Sequence, residues 1–201
     1  MTLVEDRAHL VTAANDAARR AMIESQLRVS GVNDLTLLAA FAAIAREDHV
    51  PEAARPVAYM DRAVPLGDGS VLAPALTHGQ MLTAAEPTLS DNVLVIGKPG
   101  AYLAALATRL TAHVTVAAPD GDWSGDAPYS LVLIDGAIEV APAGLVPVLA
   151  EQGRVVTGLI ERGVARLAIG RRLGGELLFT KLAEADFALL PEFAAKQRWS
   201  F

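Results

Sequence analysis

The chain has 201 residues, with 17 basic against 23 acidic side chains, a formal charge of −6 and a hydrophobic content of 52%. That length suits one domain of roughly 100–200 residues, and the negative balance argues against a nucleic-acid backbone or an anionic membrane as partner. There is no cysteine, which excludes disulfides, thiolate nucleophiles and cysteine-based metal centres.

The first residues bring acids early (Glu5, Asp6) and lack the basic-then-apolar profile of a secretory signal. The longest apolar run, 37–45, is far shorter than the roughly 18 residues a membrane helix needs. A soluble, cytoplasmic protein is the expectation.

In chain order, residues 15–29 set Met22, Ile23, Gln26 and Leu27 at helical spacing, with Gly31 as a stop. Asp34 can cap a second, alanine-rich helix over 35–46. Pro51 ends that pattern and permits a short helical turn from Glu52. Residues 59–74 hold Pro65, Gly67, Gly69 and Pro74 and read as a long irregular segment, a type of loop that often carries function. A helix over 75–85 follows.

From there the period changes. Residues 92–96 form a short apolar strand, and 101–110 a helix after Gly97. Residues 113–118, 129–134 and 154–159 are further strands, with a helix near 144–150 between the last two. Residues 164–170 and 176–182 flank a hairpin turn over 171–175. Strands alternating with helices imply a largely parallel sheet, finished by an antiparallel pair. No repeat or low-complexity linker divides the chain. The reading is one domain: a helical part over 1–57, a loop and helix over 58–90, and a sheet over 91–201.

Three stretches carry a wider likeness. The first is Met22-Ile23-Glu24-Ser25-Gln26-Leu27-Arg28-Val29-Ser30-Gly31-Val32, with Ala45-Arg46-Glu47-Asp48-His49-Val50-Pro51 after it. The second is Ala58-Tyr59-Met60-Asp61, then Val64-Pro65-Leu66-Gly67-Asp68-Gly69-Ser70 and Ala73-Pro74. The third is Val93-Leu94-Val95-Ile96-Gly97 through Tyr102, followed by Ala127-Pro128-Tyr129. In this order they resemble the protein-L-isoaspartate O-methyltransferase family.

The resemblance implies an α/β fold, a Rossmann-like class I methyltransferase sheet behind an N-terminal helical segment, with S-adenosylmethionine as cofactor. The family moves a methyl group to the side carboxylate of isoaspartyl residues in damaged proteins, which makes such proteins or peptides the expected partners. The sulfonium is an activated donor, so rate comes mainly from alignment of carboxylate, methyl and sulfur. Matched to the family's pattern, Ser70 and Asp61 are the catalytic candidates. Gly97, Gly100, Asp120, Gly121 and Asp135 are the cofactor-binding candidates, and no metal is expected.

Several positions depart from that pattern. Val95 stands where the family has an acid bracing the glycine-rich turn, Pro99 at its second glycine and Ala101 at its third. Proline fixes its own torsion and removes an amide donor. Ala118 stands where an acid grips the ribose hydroxyls, with Asp120 as a possible substitute. Leu72 replaces a serine two residues after Ser70. Only residues 119–128 separate Ala118 from Tyr129, too few for a crossover helix and a further strand, so one strand–helix unit is deleted. Two functions follow: the family's activity with a weakened cofactor site, or a non-catalytic module that dimerises through the 113–117 edge or the Trp123 loop.

Plainer readings compete elsewhere. His9, His49, His78 and His113 show no metal-ligand spacing, and His78 reads as a surface or packing residue that faces the site in one helix rotation. Asp135 reads as a capping or solvated acid as readily as a ligand contact. Ser70 can satisfy its own turn. Trp123 and Trp199 suit core or interface packing, and Arg171-Arg172 a solvated turn. The Gly97–Gly100 stretch lacks a phosphate-loop pattern.

Overall fold

The computed structural model describes residues 3–196, with side chains from residue 11 onward; the His9 ring and Trp199 lie outside the described residues. Helix α1 (Leu3–Met22) continues through a π-helical turn, Ile23–Leu27, and a 3-10 turn, Arg28–Ser30. Gly31 then stops it at φ 92, a left-handed torsion that costs glycine little.

Helix α2 (Leu35–Ala43) starts on Asp34, whose side chain accepts from the Leu37 amide at 2.9 Å. It stops three residues short of the span its alanine content suggests. The reason is Arg46, which turns fully inward and donates to the carbonyls of Ala58 at 2.7 Å and Ala73 at 2.5 Å. Two short 3-10 stretches follow, Arg46–His49 and Glu52–Val57. The segment expected to be irregular contains a small hairpin, β1 (Val64–Pro65) against β2 (Val71–Leu72). It feeds α3 (Ala75–Ala85).

The sheet is built from β3 (Asn92–Ile96), β4 (His113–Ala117), β5 (Tyr129–Ile138), β6 (Leu149–Glu161), β7 (Val164–Leu173) and β8 (Glu176–Glu184). Helix α4 (Tyr102–Ala107) joins β3 to β4. The spatial order is β4-β3-β5-β6-β7-β8; the first four strands run parallel and the last two are antiparallel. The helix expected near 144–150 shrinks to α5 (Leu145–Val148), because Leu149 is already extended and opens β6.

Successive strand residues alternate between two apolar layers. Val93, Val95, Leu131 and Leu133 face the layer made with α1–α4, whereas Leu94, Ile96, Val132 and Ile134 face the other. That second layer lacks a long helix. Between β4 and β5 the chain crosses as residues 119–128, with no strand or helix of its own, and it covers the sheet with Trp123. The indole donates to the Ala118 carbonyl at 3.0 Å, meets Phe193 edge-to-face at 6.0 Å, and is 8% exposed. Trp123, with Phe193, Leu145 and Val148, thus covers the face that a crossover helix would otherwise cover, and β4 is left as an outer strand.

Two further ties position the site. Arg154 of β6 makes a two-pronged contact with Asp91, at 2.8 and 3.0 Å, and donates to Ala85 O, holding α3 against the sheet. After β8 the chain returns as a strap across the carboxyl ends of the strands. Ala137 N donates to Ala188 O at 2.8 Å, and Leu190 N to Ala137 O at 2.9 Å. No described helix is long and apolar enough to cross a membrane.

Candidate functional site

At the carboxyl ends of β3 and β5 lies a cavity of about 450 Å³, the position where open α/β sheets take ligands. Its floor is Gly97, which follows β3, and Asp135 on β5. One wall is the turn 98–101, another the loop around Ser70, and the strap over 188–192 makes the third.

The turn has a specific form. Ala101 N donates to Lys98 O at 3.1 Å, Pro99 occupies the second position and Gly100 has φ 77, the arrangement of a type II turn. Proline and glycine are therefore well placed for the backbone, but they change what it offers a ligand. Gly97 N is used by Ala117 O at 2.9 Å, Ala101 N by Lys98 O, and Pro99 has no N–H. Three of the five positions from 97 to 101 present no free amide. His49, which also lines the cavity, secures the turn, with Nδ1 2.7 Å from Gly100 O.

On the facing wall, Ser70 hydrogen-bonds the Asp68 carboxylate through its amide at 3.0 Å and its hydroxyl at 2.6 Å. Lys98 pairs with the other oxygen of Asp68. Lys98 and the Ser70 groups together hold the Asp68 carboxyl well below its ordinary range. The hydroxyl of Ser70 thus serves its own turn first.

Beneath the floor, His78 Nε2 donates to Asp135 Oδ1 at 2.9 Å, with the imidazole fully buried. Its neighbour Tyr102 stands 5.8 Å away, centroid to centroid, and the Arg46 guanidinium lies 5.0 Å from the Tyr102 ring centre. Burial lowers Arg46 to about 10, against the opposing pull of Tyr102 and Asp135. Burial also raises the Tyr102 phenol. Arg46 Nη1, His78 Nδ1 and the Tyr102 hydroxyl have no hydrogen-bond partner among the described residues.

Ser70, Gly97, Gly100 and Asp135 come together in this cavity. Asp61 is exposed on a bend and lines neither this cavity nor the neighbouring one. Asp120 and Gly121 line that second recess, an open one of about 880 Å³ beside Trp123 and Phe193. They are carried there by a tight turn in which Gly121 N donates to Ala118 O at 3.0 Å.

His78 differs from the surface role open to it on sequence: it is a buried partner of Asp135, and Asp135 is neither a helix cap nor simply solvated. The signal was present in the spacing, since His78 precedes Leu82 by four residues on the buried face of α3. The strap had no such signal, because its contacts are backbone hydrogen bonds that any sequence can make.

Comparisons with known proteins agree with this architecture. The family model for protein-L-isoaspartate(D-aspartate) O-methyltransferase matches residues 17–117. A protein-L-isoaspartate O-methyltransferase from Koribacter versatilis is 31% identical, the match covering 88% of this chain and 91% of that protein. One from Aliivibrio fischeri is 27% identical over 83% of this chain and 92% of its own. Among solved structures, a protein-L-isoaspartate O-methyltransferase superposes with a TM-score of 0.73 at 17% identity, covering 88% of this chain and 67% of that one. A Plasmodium falciparum protein described as a putative protein-L-isoaspartate O-methyltransferase in complex with S-adenosyl-L-homocysteine superposes at 0.69 and 13% identity, covering 89% and 98%. The structural matches establish the shared fold, and the sequence matches place this chain in the protein-L-isoaspartate(D-aspartate) O-methyltransferase family.

Proposed function

We propose that this chain is a protein-L-isoaspartate O-methyltransferase-like protein in which methyl transfer from S-adenosylmethionine to isoaspartyl carboxylates is strongly weakened. The family uses S-adenosylmethionine. The residues present here do not fit it in the family's manner. The observation that carries this is the end of β4: Ala118 offers a methyl group where an acid is expected, and its carbonyl is already taken by Gly121 N and Trp123 Nε1. Asp120, the nearest acid downstream, lines the other recess. Losing a charged acceptor for the sugar hydroxyls removes about 1.5–3 kcal/mol.

What supports a retained site is the convergence of Ser70, Gly97, Gly100 and Asp135 on one cavity at the carboxyl edge of the sheet. In this reading the whole chain acts as a single domain. Gly97, Gly100 and Asp135 contact the ligand, and Ser70 orients the acceptor; Asp61, Asp120 and Gly121 are left out.

Calorimetric titration with S-adenosylmethionine and S-adenosylhomocysteine tests it. Affinity no better than sub-millimolar, with slow labelled-methyl transfer to an isoaspartyl peptide, is expected; micromolar binding would overturn the weakened grip.

A second reading, a non-catalytic module acting as a homodimer, is favoured by β4. Among the described residues its outer edge is unpaired, and Val116 on it is 41% exposed, which suits strand addition by another copy.

A further inference from the structure

Three Asp–Gly links occur in the chain: Asp68–Gly69, Asp120–Gly121 and Asp135–Gly136. At such a link the glycine brings no side chain to hinder its own nitrogen and leaves the backbone free to turn, so that nitrogen can reach the aspartyl side chain. It adds to Cγ of the neutral carboxyl; the N–C bond forms, and the carboxyl hydroxyl departs as water with the amide proton. Water then reopens the five-membered succinimide at either carbonyl. Opening at the main-chain carbonyl leaves the chain running through Cγ, an isoaspartyl residue with a free α-carboxylate. One water leaves and one returns, so the step is an isomerisation that needs no other reactant.

The three links stand in different surroundings. Asp135 and Gly136 belong to β5; His78 holds the carboxylate at 2.9 Å, and a Cβ added at Gly136 would meet Leu190 at 2.7 Å, so the strap leaves the backbone no room to turn. Asp68 is exposed, but Lys98 and the Ser70 hydroxyl and amide hold its carboxylate ionised. An ionised carboxylate is a poor electrophile, and a carboxyl held this way is neutral at least about tenfold less often than a free one.

Asp120 and Gly121 are both exposed, on the loop from β4 to β5, and the Asp120 carboxylate has no hydrogen-bond or ion-pair partner among the described residues. The Gly121 amide donates to Ala118 O at 3.0 Å, and this turn has to open before the nitrogen can attack. Opening strands no carbonyl, because Ala118 O keeps its bond from Trp123 Nε1 at 3.0 Å.

We propose that Asp120–Gly121 is the link at which this protein itself forms isoaspartate, which makes the chain an acceptor for the methyl transfer its family carries out. The altered residue adds a methylene to the backbone of the 119–128 crossover, beside the recess that Asp120 and Gly121 line.

The test ages the folded full chain in warm, mildly acidic buffer beside a urea-unfolded sample. Labelled S-adenosylmethionine, with an active isoaspartyl methyltransferase of the same family added, counts the isoaspartyl residues. Peptide mapping then locates them as equal-mass partners of the aspartyl peptides. In the folded chain isoaspartate is expected at Asp120, at least about tenfold above Asp68, with Asp135 unaltered. The unfolded sample should show it at all three links. Asp120→Glu should remove the site, because closure would need a six-membered ring, and Lys98→Gln should bring isoaspartate to Asp68.

Isoaspartate forming first at Asp68 or Asp135 in the folded chain, or none at Asp120 once the unfolded sample has isomerised there, would overturn the assignment. The added enzyme makes the readout independent of this chain's own activity, so that failure would leave the proposed function standing. Mapping of the unaltered protein decides even if a variant fails to fold.

Discussion

Gly97 and Asp135 face one another where β3 and β5 end: a Cβ added to Gly97 would stand 3.1 Å from the Cβ of Asp135 and 3.8 Å from its Oδ2. Neither backbone can retreat without disturbing the paired register of Ile96 with Ile134 just before them. Gly97→Ala should therefore cost about 1–3 kcal/mol in stability as the site overpacks. It should also push the carboxylate off His78. Urea unfolding reads the first effect, and the second appears as a changed Asp135 amide resonance; a variant as stable as the parent would mean that the strand ends part freely.

Rebuilding the missing grip should add function. With Ala118→Asp, a carboxylate at the end of β4 is expected to tighten S-adenosylmethionine by roughly 10- to 100-fold, the equivalent of about 1.5–3 kcal/mol. Calorimetry on the variant and parent measures it. An unchanged affinity would point to Pro99 and its lost amide as the dominant defect.

Asp91 predicts the acid limb of stability. Burial alone would raise its carboxyl, but Arg154, the Ser130 hydroxyl and the Thr88 amide outweigh burial and hold it well below its ordinary value of 3.8. As pH falls, the unfolded chain takes up this proton first. The stabilisation is therefore complete above the unfolded value and is lost progressively below about pH 4. Thermal unfolding from pH 7 to 2 should show a steep fall for the parent and a shallower one for Asp91→Asn. At neutral pH, Asp91→Ala should cost about 2–4 kcal/mol, below the full penalty of a sealed pair because Arg154 is partly exposed.

The outer strand gives an assembly prediction. If β4 pairs with its copy, light scattering at high concentration reads a dimer, and Val116→Lys returns it to a monomer by placing a charge on the exposed edge. A monomeric parent at every concentration would remove the homodimer reading.

Much of this fold was legible in the sequence because the informative signals are local. The α3 span between Pro74 and Glu86, the β3 run after Asp91, the Asp34 cap and the Gly31 stop each follow from a few adjacent residues. The parallel sheet and its antiparallel finish followed from the alternation of elements. Arg46 was not legible, since its burial depends on carbonyls 12 and 27 residues away. The separation of Asp120 from the Gly97 cavity was equally hidden, because it depends on Trp123 drawing residues 119–128 onto the sheet. Of the candidate site, the residues fixed by strand ends, Gly97 and Asp135, were recoverable. Those carried on loops were not all so, as Asp61 and Asp120 illustrate.

The strap clasping Ala137 also sets a timetable. During synthesis the parallel strands can close as they emerge, yet the third wall of the cavity is encoded after every strand, in residues 188–192. A nascent chain halted behind β8 would hold its sheet with the carboxyl ends bare to water. Any ligand that this cavity takes up would therefore meet its third wall only once residues 188–192 have been made.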